Sequence, residues 1–538
     1  MSRVLILWFL ISLNVYSQNS YFVSSKQGND ASGDGTLSNP YKTLTKAISV
    51  ISGGDIIYLR EGVYHESVSI SNIDGTSSNK TTITNYQNEL VIIDGTVWID
   101  GTWKDDNANS SIKYLSNITQ DITQLFVGNS QMVMARWPNA QFTDNTIFDH
   151  DNWAHGDENN STDGNFYIDE TYDDPGSIDL TGTIGILNVG SFKTFNRTIS
   201  NHTQQSGNDL IQFTDDIGTK GIGASLSSNS PLKNKHHYFF FEGKKELIDT
   251  QNEWFLNTSS DILYLYPPSG VDLSSTFVRG KVRDYSITVS NSDYLKIEGL
   301  TFFATTLKVD SSDYVEIKEN NFYYPSHSQR MIGNLNGANP TTLGSSQSNS
   351  VNNSIIDSCL FINTEGEGLI INGNNNEVKN SYFKNIDWSA TELDGLMVTI
   401  NIDGTSNQFN NNEIYRTGAS ATVWPGESSV FSFNIVSNTG LAQSDGAVFQ
   451  GTKNTVSGSI VNNNFVYDTE KYAFRYDAPG GDATSAGSFG IMHHNIADNT
   501  MGLMIKGNNQ IIANNTVINT ISNRNDIIIL AEDCSNNN

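Results

Sequence analysis

Moving a proton at neutral pH and steadying the charge left behind takes an imidazole, a cation and a second acid or base held close together. Side chains of those types crowd one stretch of this chain: Lys471, Tyr472, Arg475, Tyr476, Asp477, His493, His494 and Lys506, although only 31 of the 538 residues are Lys or Arg. Histidine is the side chain whose ordinary pKa suits proton transfer near pH 7. A guanidinium can clamp a carboxylate or sulfate through two hydrogen bonds. The set can therefore perform a β-elimination: His493 or His494, Lys506 or Tyr472 serves as base and acid, and Arg475 neutralises a carboxylate beside the abstracted proton. On a strand only one of His493 and His494 can face a cleft. The segment 476–490, with Pro479, Gly480 and Gly481, is expected to be a long turn that forms a wall of the cleft.

A second set is acidic: Glu365, Glu367, Asp394, Asp445 and Asp477. Two carboxyl groups can cleave a glycosidic bond, about 5 to 5.5 Å apart in retaining enzymes and about 6.5 to 9.5 Å apart in inverting ones. Asp394 with Asp445, or Asp445 with Asp477, is a candidate acid–base pair. Glu365, Glu367 and Asp394 are alternatively ligands for Ca²⁺, a cation that takes oxygen donors; no other cofactor is indicated. Trp424, Gln450 and Lys471 are candidate substrate contacts, and His327 with Arg330, beside Tyr323 and Tyr324, is a candidate subsite or gate.

These residues are positioned by a repeat. A small residue followed by an apolar-x-apolar strand recurs at Gly368, Gly395, Ser420, Gly446, Ala473 and Gly502, and a turn before a short strand recurs at Asn412, Asn434, Asn464, Asn495 and Asn515. Repeats of roughly 25 to 29 residues with short strands and Asn-rich turns predict a parallel β-helix. With rungs roughly 4.8 Å apart, the first register sends Leu369, Leu396, Ala421, Ala447, Phe474 and Leu503 inward. It sends Asn372, Thr399, Trp424, Gln450, Asp477 and Lys506 outward, and puts Glu367, Asp394, Ala419, Asp445, Tyr472 and Met501 at a bend.

The words "NPYKTLTKAI", "GGDIIYLREGVYHE" and "VIIDG" resemble the entry of right-handed parallel β-helix proteins, with a short helix over Leu44, Ala47, Ile48 and Ile51 capping the first coil. "LFVGNSQMVMARWPNA" (125–140) and "NEWFLNTSSDILYLYPPSG" (252–270) resemble the β-barrel insertion of glycoside hydrolase family 141. "TEGEGLIINGNNNEVKNSYF" resembles the acidic, metal-binding coil of chondroitinase-B-like lyases of polysaccharide lyase family 6, but Asn372 or Gly373 stands where that family has its catalytic Lys. The expected fold is all-β: a right-handed parallel β-helix with an inserted β-rich domain. The expected division is a signal peptide at 1–17, a cap and first coils at 18–100, the insert at 101–278, the main solenoid at 279–530 and a polar tail at 531–538.

A formal charge of −27 argues against a nucleic-acid binder, whose affinity rests on clustered cations. Arg3 and the apolar run Val4–Leu13 read as a leader directing the chain out of the cytoplasm or into the periplasm, and no later stretch has the length of a membrane span. Cys359 and Cys534 do not suggest a disulfide framework. The expected partner is an anionic poly- or oligosaccharide containing uronic acid, and a monomer is expected. Elimination is the first function expected, lyase or dehydratase, because the basic cluster is rare in so acidic a chain. Hydrolysis by an Asp/Glu pair and non-catalytic glycan binding are the alternatives.

Overall fold

A computed structural model describes residues 18–157, 160–189, 192, 194–205, 207–214, 217, 237–327, 339–389, 396–477, 487–521 and 526–535. The leader expectation falls outside them, as do Arg330, Asp394, Gly395 and the wall residues Pro479, Gly480 and Gly481. Each coil contributes one short strand to each of three parallel sheets, here I, II and III. Sheet I runs from Ser20–Val23 to Ile511–Ala513, sheet II from Gly62–Tyr64 to Thr516–Ile518, and sheet III from Val68–Ser71 to Ile527–Ser535. The fold is the expected parallel β-helix with an inserted β-rich domain. Residues as far as Ser535, read as a tail from the sequence, pair with Leu503–Asn508 as the last strand of sheet III.

Alternating β-branched and polar residues give each strand one inward row. The inward row of sheet II stacks Phe302, Phe322, Phe361 and Phe383 nearly face to face, with ring centroids 4.7 to 4.8 Å apart. The corner into sheet II is held by an asparagine ladder. The side-chain oxygens of Asn434, Asn464 and Asn495 each accept the backbone N–H of the asparagine one coil earlier, at 2.9 to 3.0 Å. The amides of Asn434, Asn464 and Asn495 donate to core-side carbonyls at 2.9 Å. Immediately before the ladder, Asn411, Asn463 and Asn514 adopt left-handed backbone, which Asn tolerates better than most residues.

The solenoid begins under the short helix Leu44–Ile48, whose N-cap Thr43 accepts from Lys46 N. The insert leaves the turn between sheets II and III of an early coil, after Val91–Asp94, and returns to sheet III at Tyr285–Ser290. Its neck is an antiparallel pairing of Thr96–Trp98 with Val278–Lys281. The insert has a core of its own, including Phe166, Leu187, Phe195 and Phe239. It then folds back over the same II-to-III turns of later coils: Phe148, Trp153, Ile186 and Phe240 pack with Trp388, Met397, Ala419 and Ala442. Phe142 meets Trp388 edge-on at 5.3 Å, and Gln443 Nε2 donates to Thr194 Oγ1 at 2.9 Å.

Candidate active site

Strand pairing revises one of the two registers. Sheet III aligns Leu369 with Ile400, Val423, Phe449, Phe474 and Leu503 as its inward row. Leu396, Ala421 and Ala447 thus fall two to four residues early. The cause is the spacing from sheet II to sheet III: Tyr382–Ile386 is followed by Val398–Asp403 in one coil and Glu413–Thr417 by Ala421–Trp424 in the next, so a small residue before the strand is no fixed marker. Asn372 pairs with Asp403 rather than Thr399. The outward row that does form is Asn401, Trp424, Gln450, Arg475 and Met504. The asparagine register stands as read, because sheet II aligns Glu413, Ile435, Phe465, Ile496 and Thr516, each directly after its asparagine.

At the C-terminal end of sheet III, Arg475 bridges two coils. Its guanidinium donates to Asp445 Oδ1 at 2.6 Å and reaches Asp477 Oδ2 at 2.7 Å; Lys506 Nζ lies 3.2 Å from Asp477 Oδ1, and Gln450 Nε2 donates to Asp477 Oδ2 at 3.0 Å. Burial works against the charge of Arg475, but Asp477 and Asp445 more than offset it and hold the guanidinium above its ordinary value. Tyr472 lies under Arg475, 5.7 Å from ring centre to guanidinium carbon. Beside this network opens a cleft of about 760 Å³, lined among others by Asp445, Lys471, Tyr472 and Arg475 from the solenoid and by His150 and Tyr238 from the insert. Lys471 is buried and donates to Gln443 O. His150, stacked on Tyr238 at 4.3 Å, is pushed down to about 4, chiefly by burial, so its imidazole is neutral at pH 7. Neither His150 nor Tyr238 was singled out from the sequence, since both lie far from the repeat.

Sequence reasoning also grouped residues that the fold separates. His493 belongs to sheet I, a different face from Arg475, and His494 takes the left-handed corner that Asn411, Asn463 and Asn514 occupy in other coils. The two rings contact one another, Nδ1 to Nδ1 at 2.8 Å. The cleft is not cationic either: around Lys471 and Arg475 stand Asp149, Asp445, Asp468 and Glu470. His327 is buried, with Nδ1 3.6 Å from Asp284 Oδ1.

Three coils back along the same turn lies a buried carboxyl group missed from the sequence. Thr364 pairs with Ile386, so Glu365 and Asp387 follow on adjacent rungs, and Asp387 N donates to Thr364 O at 2.9 Å. Asp387 has left-handed backbone, φ 59°. A β-carbon at Gly418, one coil on, would lie 1.9 Å from Asp387 O, so only glycine fits there. Glu365, Glu367 and Asp387 are 2, 4 and 2% exposed. Burial first, and then the negative charge of Glu367, hold the Asp387 carboxyl well above the usual carboxylate range, while Thr399 alongside pulls the other way. The phenol of Tyr285, also under the influence of Glu367, is pushed up to about 12 by burial. Among the described residues, Asp387 Oδ2, Thr399 Oγ1, Ser420 Oγ, Thr422 Oγ1 and Gln450 Oε1 are buried without a hydrogen-bond partner. Buried polar atoms are nearly always paired, so each of these atoms is a place that a further polar partner would satisfy. No group of three or more metal-ligating side chains occurs among the described residues.

Comparison with known proteins follows this architecture. Residues 26–71 match the model of a family described as a protein of unknown function (DUF1565). The uncharacterized protein YwoF of Bacillus subtilis (strain 168) is 34% identical over 82 residues, 15% of this chain and 17% of that protein; the matched stretch therefore spans under a fifth of that relative. A solved glycoside hydrolase superposes with a TM-score of 0.66 at 16% identity, over 93% of this chain and 96% of its own. The two share a fold. XylC in its complex with xylose gives a TM-score of 0.48 at 14% identity, over 91% of this chain and 69% of that one. No helix among the described residues is long and apolar enough to cross a membrane.

Proposed function

We propose that this protein is a carbohydrate-active enzyme that hydrolyses glycosidic bonds, with Asp387 as general acid and Glu367 as its ionised partner. The observation that carries this reading is a buried carboxyl group, Asp387, pushed towards its neutral form by burial and by the charge of Glu367, with one oxygen orphaned. Groups driven to opposite protonation states by their surroundings are suited to opposite roles. Asp387 gives its proton to the leaving glycosidic oxygen as the C–O bond breaks. Glu367 either attacks the anomeric carbon or takes a proton from the attacking water. The shared architecture with a solved glycoside hydrolase supports the class.

Elimination has a narrower basis than the sequence suggested, because the paired histidines stand on another face and Arg475 and Lys506 are engaged by Asp445 and Asp477. Lys471 and Tyr472 in the cleft are the base and acid that it would use. Incubation with xylan, ulvan, alginate and chondroitin sulfate separates the two. New reducing ends without the ultraviolet absorbance of an unsaturated uronate support hydrolysis; that absorbance, retained in Asp387→Asn, overturns it.

A further inference from the structure

The seam between insert and solenoid is hollow on both sides of the Asp387 coil. Towards the C-terminus lies the cleft of about 760 Å³; over the turn itself lies a cavity of about 210 Å³ lined by Phe142, Asn145, Phe148, Tyr324, Asn385 and Trp388; towards the N-terminus lies one of about 430 Å³ lined by Trp98, Phe277, Arg279, Phe303, Tyr323 and Tyr324. Phe148 lines both the first and the second, and Tyr324 both the second and the third, so the three follow one another along a single groove. It is lined by the left-handed residues at the end of the sheet II strands, Tyr324, Asn363, Asn385, Asn438, Asp468 and Asn499. Side-chain amides there bond along the groove, Asn385 to Asn363 at 2.8 Å and Asn499 to Asp468 at 2.9 Å.

The N-terminal end has its own composition. Trp98 and Phe277 are 49 and 43% exposed and meet edge-on at 5.3 Å. Behind them Arg279 is buried, with Nη1 2.6 Å from Asp94 Oδ2, Nη2 2.6 Å from Asn129 Oδ1 and its carbon 3.8 Å from the Phe303 ring. Two bare aromatic rings over a fixed polar base suit the faces and hydroxyls of sugars, since aromatic rings present large apolar faces. Thr301 and Ile92, three and four rungs before Tyr382–Ile386, put this platform roughly 14 to 19 Å from the Asp387 coil at about 4.8 Å per rung.

We propose that the Trp98–Phe277 platform is a distal subsite that holds the same glycan chain whose bond is cut at the Asp387 coil, so that the enzyme is built for a polymer and cuts within it. This rests on the glycan-cleaving reading, and the experiment separates the two. Affinity electrophoresis through gels containing xylan, ulvan, alginate or chondroitin sulfate is run on the full chain bearing Asp387→Asn, alone and combined with Trp98→Ala and Phe277→Ala. At least one polysaccharide is expected to retard Asp387→Asn, and retardation is expected to weaken at least fivefold when the platform is removed. In the otherwise native chain, the double platform variant should raise KM on that polysaccharide by a similar factor. Its rate on a short oligosaccharide from the same polymer should stay within twofold, and so report intact folding. Unchanged retardation and KM would overturn the platform while leaving cleavage standing. Equal losses on polymer and oligosaccharide would also overturn it, and absence of cleavage on every polymer by the native chain would remove the underlying reading.

Discussion

Replacing Asp387 by asparagine tests the site through stability as well as activity. Burying an ionised carboxylate costs several kcal/mol, and the negative charge of Glu367 adds to that cost at Asp387. In the folded protein Asp387 therefore keeps its proton well above the pH at which a free carboxyl group loses it. An acid whose pKa rises on folding contributes stability that is fully present below the unfolded value, about 3.9, and is lost as pH climbs through the folded value. Wild type should thus weaken from pH 4 to pH 8 in a way that Asp387→Asn, of equal shape and without a titrating proton, does not. Urea unfolding followed by tryptophan fluorescence should show the variant more stable by about 1 to 3 kcal/mol at pH 8, with the gap closing towards pH 4. Turnover should fall by roughly 10² to 10⁴, the usual contribution of a general acid. A variant that is less stable by the same amount at every pH, or that keeps full turnover, would refute the pairing with Glu367.

Arg475→Ala removes the guanidinium that Asp445 and Asp477 share, leaves Asp477 to Lys506 and Gln450, and should cost about 3 to 5 kcal/mol, with Arg475→Lys recovering part of it; denaturant midpoints measure both. His493→Ala should change stability by less than about 0.5 kcal/mol and leave turnover unaltered, since His493 faces away from the groove; a large loss of turnover would return the histidines to the site. Asn464→Ala strips the ladder of a side chain that serves Asn434, Asn495 and Phe431 O, and at about 1 to 3 kcal/mol for each polar group left unpaired the thermal midpoint should drop clearly.

The repeat was legible because it is local. Asn412, Asn434, Asn464, Asn495 and Asn515 mark a corner whose hydrogen bonds are the same in each coil, so their spacing transmits the register directly. Sheet III was harder: its entry turn varies in length, and side-chain alternation tells inward from outward without saying which inward residue meets which. That is why the parity of Ala421 and Ala447 was read correctly and their partners were not. Arg475 and Lys506 were found because Lys and Arg are scarce in this chain, and Asp445 and Asp477 because they recur at fixed places in the repeat. Asp387 was not, because it follows a strand in the ordinary position of a solvated turn residue, while its neighbour Trp388 packs with Phe142, Phe148 and Trp153, more than two hundred residues earlier in the chain. Long-range covering of this kind leaves no periodic trace.

Coils in a solenoid touch only their neighbours, and such arrays can fray from either end in small steps. The insert breaks that rule. Springing from an early coil and resting on turns as distant as Ala442, it ties the two ends of the array into one event, so that melting should be more cooperative than stacked rungs alone would allow. It also imposes an order on biogenesis. The ribosome delivers the insert before the turns it rests on, and until those emerge Phe148 and Trp153 lack their cover. The nascent chain is most vulnerable to clumping in that interval, and the groove exists only once the last of those turns has been wound.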